Sequence, residues 1–175
     1  APPQVQRIEN IATGMADELA KIGAKNFAEA YDGAKTSAAA LSTINSSLPK
    51  LDKMFTGAGA ELKLNIVRYA KTLGVPDKFL VDPNSISDTE TYVADSGQRV
   101  ADYIKNLGAG TGLSDTDREY AKSIVGGNIT VDKESLKRLL GTLKKYAEYN
   151  IQQYKHTRER IRGKLGPANE GALSF

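Results

Sequence analysis

The side chains best suited to chemistry in this sequence are three alternating carboxylates and a single histidine. Asp115, Asp117 and Glu119 resemble the start of a calcium-binding loop, but Tyr120 stands where that loop needs glycine and no glutamate occupies its twelfth position. His156 is the only histidine, which leaves no arrangement for a Ser/His/Asp triad or a histidine-rich metal site. The carboxylates fit better in the first turn of a helix, where they complement its dipole. The sequence therefore predicts no catalytic residue, no metal site and no cofactor.

A glycine-rich stretch, Gly108-Ala-Gly-Thr-Gly, comes directly before these carboxylates. A phosphate-binding loop would need a lysine followed by Ser or Thr after the glycines, and a dinucleotide-binding fingerprint would need a preceding strand; the sequence has neither. Ser114 is a favourable helix N-cap, and a pair of glycines stops the short helix that it begins. We interpret this region as a structural corner between helices, built from Gly108, Gly110, Gly112, Ser114, Gly126 and Gly127.

A basic segment follows the corner. Val131 to Leu165 contains ten basic and four acidic side chains, although the whole chain carries a net charge of only +3. Such a segment is typical of contact with an anionic molecule or an acidic partner surface, and also of a solvated helix face. Its interleaved tyrosines are suited to stacking on bases, but they are also common at protein interfaces, which we favour. The predicted partner contacts are Tyr149, Tyr154, Lys155, Arg158, Ile161 and Arg162.

Apolar side chains spaced by three and four residues predict the helices that position these residues. Lys63 lies outside the apolar stripe of its helix, and Asn150 interrupts the stripe of the last helix, so the residues beyond Asn150 are expected to leave the core and project towards a partner or solvent. The predicted helices are Val5 to Ile44, a shorter element with Leu51, Met54 and Phe55 on its buried side, Ala60 to Leu73, a helix from a Ser87-x-x-Glu90 capping box to Leu107, Ser114 to Val125, and Val131 to Lys164.

These elements predict an all-α fold, an elongated helical bundle with long N-terminal and C-terminal helices and no sheet. We expect residues 1–47 to form a long amphipathic helix bent near Gly23 or Gly33. Residues 48–149 are expected to form a compact helical domain, and residues 150–175 a basic helix end with a docking tail.

Composition narrows the class of protein further. Hydrophobic residues make up 40% of the chain and charged residues 26%, as in soluble proteins. The absence of cysteine excludes disulfides and thiolate chemistry. No apolar stretch reaches the roughly 18 residues of a membrane span, and no signal-peptide pattern begins the chain. We therefore expect a protein made in the cytoplasm without stable membrane insertion.

Three stretches resemble a recurrent helical module of tailed-phage virion proteins, particularly those of short-tailed phages. They are Leu107 to Ala121, the Gly126-Gly127-Asn-Ile-Thr restart with Ser135-Leu-Lys-Arg-Leu-Leu, and the upstream Phe55-Thr-Gly-Ala-Gly-Ala-Glu-Leu-Lys-Leu-Asn. The resemblance covers roughly Leu48 to Tyr149. It implies a non-enzymatic structural protein of the virion, of the tail or internal DNA-ejection type. Its implied partners are further copies of itself in a ring-like homo-oligomer and other virion proteins such as the portal or tail tube.

Two alternative functions stay open from the sequence. The basic C-terminal helix would suit a nucleic-acid-binding accessory protein, although DNA contact is less favoured than protein contact. Because some phage proteins of this type carry lysozyme domains, a fragment of a peptidoglycan-active virion protein is the third hypothesis. Salt separates the first two, since phosphate contacts weaken steeply with salt and an apolar interface does not.

Overall fold

The computed structural model describes residues 20, 23, 25–26, 28–43, 45–46 and 55–165, with the backbone alone for 161–165. Within these residues the fold is all-α and contains no strand, as predicted. Its elements are α1 (residues 28–43), α2 (Gly59–Thr72), a short 3₁₀ turn (Asp77–Phe79), α3 (Thr89–Asn106), α4 (Asp115–Val125) and α5 (Lys133–Leu165). The bounds of α2 to α5 agree with the predicted bounds within two residues.

Helix α3 lies at the centre of the fold and packs against α2, the 3₁₀ turn, α4 and α5. Its inward stripe and the leucines of α5 form most of the core, with Ala121 and Ile124 of α4 beside them. The buried stripe of α5 is the one that the sequence predicts, with Leu136, Leu140, Leu143 and Ala147 all inside. Burial of this many apolar side chains is the main term that stabilises the domain.

A glycine lets the start of α5 approach α3 closely. A Cβ on Gly97 of α3 would lie 2.2 Å from Cγ1 of Val131. Val131 is buried, and it comes two residues before the first residue of α5. The missing side chain therefore makes room for the connection between α4 and α5 on the surface of α3.

The loop between α2 and α3 is held by buried polar side chains. The ammonium group of Lys63 donates to the carbonyls of Ile86 and Ser87, the latter at 2.8 Å, and the hydroxyl of Tyr92 donates to the carbonyl of Val81 at 2.9 Å. The expectation that Lys63 lies outside the buried face is wrong, because only 6% of this residue is exposed. Its ammonium group lies 5.7 Å from the centroid of the Tyr92 ring, and its donors satisfy loop carbonyls.

The N-terminus of α3 also differs from the prediction. Asp88, not Ser87, is its N-cap, and a carboxylate oxygen of Asp88 accepts from the amide of Thr91 at 2.7 Å. The Ser87-x-x-Glu90 capping box is therefore wrong by one residue. A carboxylate can satisfy the free amides of a first helical turn as well as a hydroxyl can, so the two adjacent candidates compete.

Helix α1 packs on the outer part of α5. The rings of Tyr31 and Tyr154 meet edge to face, with centroids 5.6 Å apart. Ala34, Ser37 and Ala40 are buried along the same helix, and a cavity of about 350 Å³ lies between α1, the turn that follows α2, and the facing parts of α3 and α5. Helix α1 continues through Gly33 without interruption. The residues on either side of Gly23, like most of the predicted helix before residue 28, lie outside the described residues, so the predicted bend there is not tested.

Candidate functional site

The predicted structural corner connects α3 to α4. The hydroxyl of Ser114 accepts from the amide of Asp117 at 3.1 Å and donates to its carboxylate at 2.7 Å, which confirms Ser114 as the N-cap of α4. Because Gly108, Gly110 and Gly112 all have positive φ, the chain can reverse direction between the two helices.

The other end of α4 is closed by the predicted glycine pair. Gly126 has φ −74° and Gly127 has φ +75°. The amide of Gly127 donates to the carbonyl of Ile124 at 3.0 Å, and the amide of Asn128 donates to the carbonyl of Ser123 at 2.8 Å. These two bonds form a Schellman motif, which satisfies the last carbonyls of the helix.

The corner and one of the predicted partner contacts lie against each other. A Cβ built on Gly112 would stand 2.4 Å from Cγ of Tyr149 and 2.5 Å from Cδ2 of the same ring. The two belong to different regions of the sequence, the glycine-rich corner and the basic helix. Tyr149 is half-buried, so part of its ring covers the corner and only the remainder faces solvent.

A buried carboxylate joins α4 to α5. Asp117 is 8% exposed, and its carboxylate accepts from Ser114, from the ammonium group of Lys145 at 3.3 Å and from the hydroxyl of Thr142 at 3.5 Å. Burial alone would raise the pKa of Asp117, but the hydrogen bonds from Ser114 and Lys145 outweigh burial and lower its pKa below the ordinary value. The three alternating carboxylates therefore do not form one cluster, because the side chains of Asp115 and Glu119 are exposed while Asp117 is buried.

The sign of this pKa shift fixes how the cluster responds to acid. The unfolded chain binds the proton of Asp117 more tightly than the folded chain does. The carboxylate therefore contributes stability above the unfolded pKa of about 3.9, and that contribution is lost as the pH falls through the lower folded pKa.

The expectation that Tyr154 projects away from the domain is wrong. Its residue exposure is 1%, and its ring packs on Tyr31 of α1. Burial is also the main reason why the pKa of the Tyr154 hydroxyl is raised. The polar residue Asn150 suggested that α5 leaves the core, but α1 covers the helix beyond that position.

The remaining predicted contacts on α5 differ in exposure. Lys155 is exposed, as are the neighbouring His156 and Arg160, whereas Arg158 is half-buried. Ile161 and Arg162 lie outside the described side chains. Among the predicted contacts whose side chains are described, Lys155 is thus the one fully available to another molecule. Arg160, one of the residues beyond Asn150 that were expected to project towards a partner or solvent, is also exposed.

A groove of about 610 Å³ lies where the first turns of α3 and α5 meet. Buried Val93 and Val131 line it together with Ala94. Its exposed charged residues are Glu90, Asp132 and Glu134, and the half-buried Lys133 also borders it. The ammonium group of Lys133 donates to the carbonyl of Gly57 at 3.4 Å. Sequence reasoning missed this groove, because acidic residues in first turns are expected as helix-dipole partners in any helix.

Asp132 serves as the N-terminal cap of α5. Its carboxylate accepts from the amide of Ser135 at 2.8 Å, and this bond is the main reason why the pKa of Asp132 is lowered. One of the acidic groups at the groove therefore has a structural role of its own.

Within the described part of the chain, no group of three or more His, Asp or Glu side chains has the geometry of a metal site. Among the described residues, no helix is both long enough and apolar enough to span a bilayer. Comparison of the chain with protein families, with curated proteins and with solved structures found no match.

Proposed function

We propose that this chain is a non-enzymatic structural protein of a bacteriophage virion, of the tail or internal DNA-ejection type. It assembles in multiple copies through helix packing and contacts neighbouring virion proteins such as the portal or tail tube. The virion assignment rests on the sequence resemblance, and the assembly role rests on the arrangement of α5.

The observation that carries the assembly role is the two-part character of α5. Its inner stripe fills the core as far as Tyr154, while its outer end presents the exposed basic residues Lys155 and Arg160. A single helix of 33 residues therefore belongs to the domain at one end and offers a charged surface at the other. Exposed arginine and lysine beside a rigid helical core are suited to selecting an acidic protein surface.

The polar groups elsewhere support the same interpretation. Asp117 and Lys63, the two buried charged residues among those described, hold helices and loops together through hydrogen bonds. Asp117, one of the side chains that the sequence marked as best suited to chemistry, thus has structural partners. The hydrogen bonds of Asp117 and Lys63 are those expected of a structural role.

Nucleic-acid binding is the second candidate, because the exposed basic residues of α5 could neutralise phosphates. Stacking on bases would need exposed rings beside them. Tyr154 is buried, and Tyr146 and Tyr149 are half-buried. These tyrosines are therefore poor stacking platforms, which favours a protein partner.

Sedimentation velocity across protein concentration tests the proposal, together with binding to duplex DNA between about 50 and 200 mM salt. We expect self-association at micromolar concentrations that weakens only modestly with salt, and only weak binding to DNA. Sub-micromolar DNA binding that falls steeply with salt would favour the second candidate instead.

A matched pair of variants separates the two outcomes. Lys155→Ala with Arg160→Ala removes the exposed basic end of α5, whereas Arg68→Ala with Lys105→Ala removes the same charge from exposed positions elsewhere. If the protein binds DNA through α5, the first pair lowers the slope of log affinity against log salt by roughly two units. If the partner is protein, the first pair weakens assembly and the second leaves it unchanged.

A further inference from the structure

The groove between the first turns of α3 and α5 combines an apolar lining with acidic surroundings. Val93, Ala94 and Val131 supply the apolar side chains. Three carboxylates border it, those of Glu90, Asp132 and Glu134, against the one ammonium group of Lys133. A basic segment that also carries apolar residues would complement this surface in both respects.

The outer end of α5 has that composition. Residues 155–165 contain five basic side chains and one acidic one, and Ile161 and Leu165 are the large apolar residues among them. The backbone of this segment is helical to its last residue, Leu165. The segment therefore carries the charge opposite to that of the groove, and its backbone is already helical.

The two surfaces cannot meet within one molecule. The groove lies at the N-terminus of α5 and the basic segment at its C-terminus. A helix of 33 residues with a rise of 1.5 Å per residue is about 50 Å long. Since an α-helix does not fold back on itself, the basic end can reach such a groove only on another copy.

We infer that the basic end of α5 from one copy docks in the acidic groove between α3 and α5 of the next copy. This inference rests on the proposed self-assembly and specifies its interface. Because the two surfaces differ, the contact is heterologous and runs head to tail. It forms a ring if the rotation between copies closes, and an open filament if it does not.

Charge reversal on each surface separately tests the inference. The groove variant is Glu90→Lys with Glu134→Lys, which spares the helix-capping Asp132. The basic-end variant is Lys155→Glu with Arg160→Glu and Arg162→Glu, which changes the net charge of residues 155–165 from +4 to −2. In sedimentation velocity we expect each variant alone to self-associate at least about tenfold more weakly, because like charges then face each other.

An equimolar mixture of the two variants is the decisive sample. In the mixture the basic groove of one variant meets the acidic end of the other, and the unaltered surfaces also remain complementary. We expect association to return to the level of the unmodified chain. This recovery cannot come from misfolded variants, so it separates a broken interface from a broken fold.

Control variants carry the same charge changes at exposed positions that neither line the groove nor belong to residues 155–165. They are Asp77→Lys with Glu119→Lys, and Arg68→Glu with Lys78→Glu and Lys105→Glu. These should associate like the unmodified chain. If the groove reversal does not fold, Glu90→Gln with Glu134→Gln replaces it. If the basic-end reversal does not fold, Lys155→Ala with Arg160→Ala and Arg162→Ala replaces it. Each replacement should weaken association in the same direction.

The outcomes distinguish the interface from the proposed function. If the unmodified chain stays monomeric at all concentrations, both the inference and the self-assembly role fail. If it associates and neither reversal weakens that association, the inference is overturned and self-assembly stands. Loss of association that the mixture does not restore also overturns the inference.

Discussion

Replacing Gly112 by alanine should destabilise the protein for two separable reasons. Gly112 has φ +72°, a left-handed conformation that costs a residue with a Cβ about 1–2 kcal/mol. The new Cβ would also stand 2.4 Å from Cγ of Tyr149, so the ring must move, and forced repacking of this kind costs about 1–3 kcal/mol. We therefore expect Gly112→Ala to lower the free energy of unfolding by about 2–5 kcal/mol.

Gly110 offers a matched control two residues away. It has φ +80°, but a Cβ there would meet no atom within 4 Å. Gly110→Ala should therefore cost only the backbone part, about 1–2 kcal/mol. The difference between the two variants measures the contact between the corner and α5.

Chemical denaturation supplies the free energies, with the slope against denaturant checked for constancy. A double-mutant cycle with Tyr149→Ala adds a second test, because removal of the ring should reduce the steric part of the Gly112→Ala effect and leave only the contact with Cβ of residue 149, at 2.7 Å. Equal destabilisation by the Gly110 and Gly112 variants would refute the argument. So would a Gly112→Ala cost that stays the same without the ring.

Three further changes probe the packing and the buried polar cluster. Gly97→Ala should lower the free energy of unfolding by about 1–3 kcal/mol despite the better helix propensity of alanine, and Val131→Ala in the same chain should recover part of the loss in denaturant titrations. The thermal unfolding temperature of the unmodified chain should fall as the pH drops below about 4, because Asp117 has a lowered pKa and loses its stabilising charge there. Asp117→Asn should be less stable at neutral pH and lose part of that acid dependence; an unchanged acid profile would count against the cluster. Tyr154→Ala should remove hydrogen-exchange protection from α1 while α3 keeps its own, and retained protection in α1 would show that the aromatic pair does not hold it.

The sequence predicts the helices and the corner well because both depend on local physics. Three-and-four spacing identified the buried leucines of α5, and the preferences of Ser114 and Gly127 identified the ends of α4. An N-cap and a left-handed glycine act within a few residues of their position. Such features can be derived from a short stretch of sequence without knowing the fold.

The sites that depend on distant segments could not be predicted in the same way. Tyr154 is buried because α1 covers it, and the sequence near Tyr154 gives no sign of a helix that lies so far along the chain. Lys63 is buried because two loop carbonyls need its donors. Tyrosine and lysine side chains can be buried or exposed at a similar free energy. Contacts with distant segments of the chain therefore decide which of the two occurs.

The contact between Tyr31 and Tyr154 also bears on the order in which the molecule folds. Helices α3, α4 and α5 follow one another with short connections, so most of their contacts are local and should form quickly. Helix α1 must wait for a partner near the other end of the chain, and closing so long a loop carries a large entropic cost. During synthesis, which proceeds from the N-terminus, α1 is made before the other described helices, and its contact with α5 forms last. The ring of Tyr31 can thus meet the ring of Tyr154 only after the ribosome has completed α5.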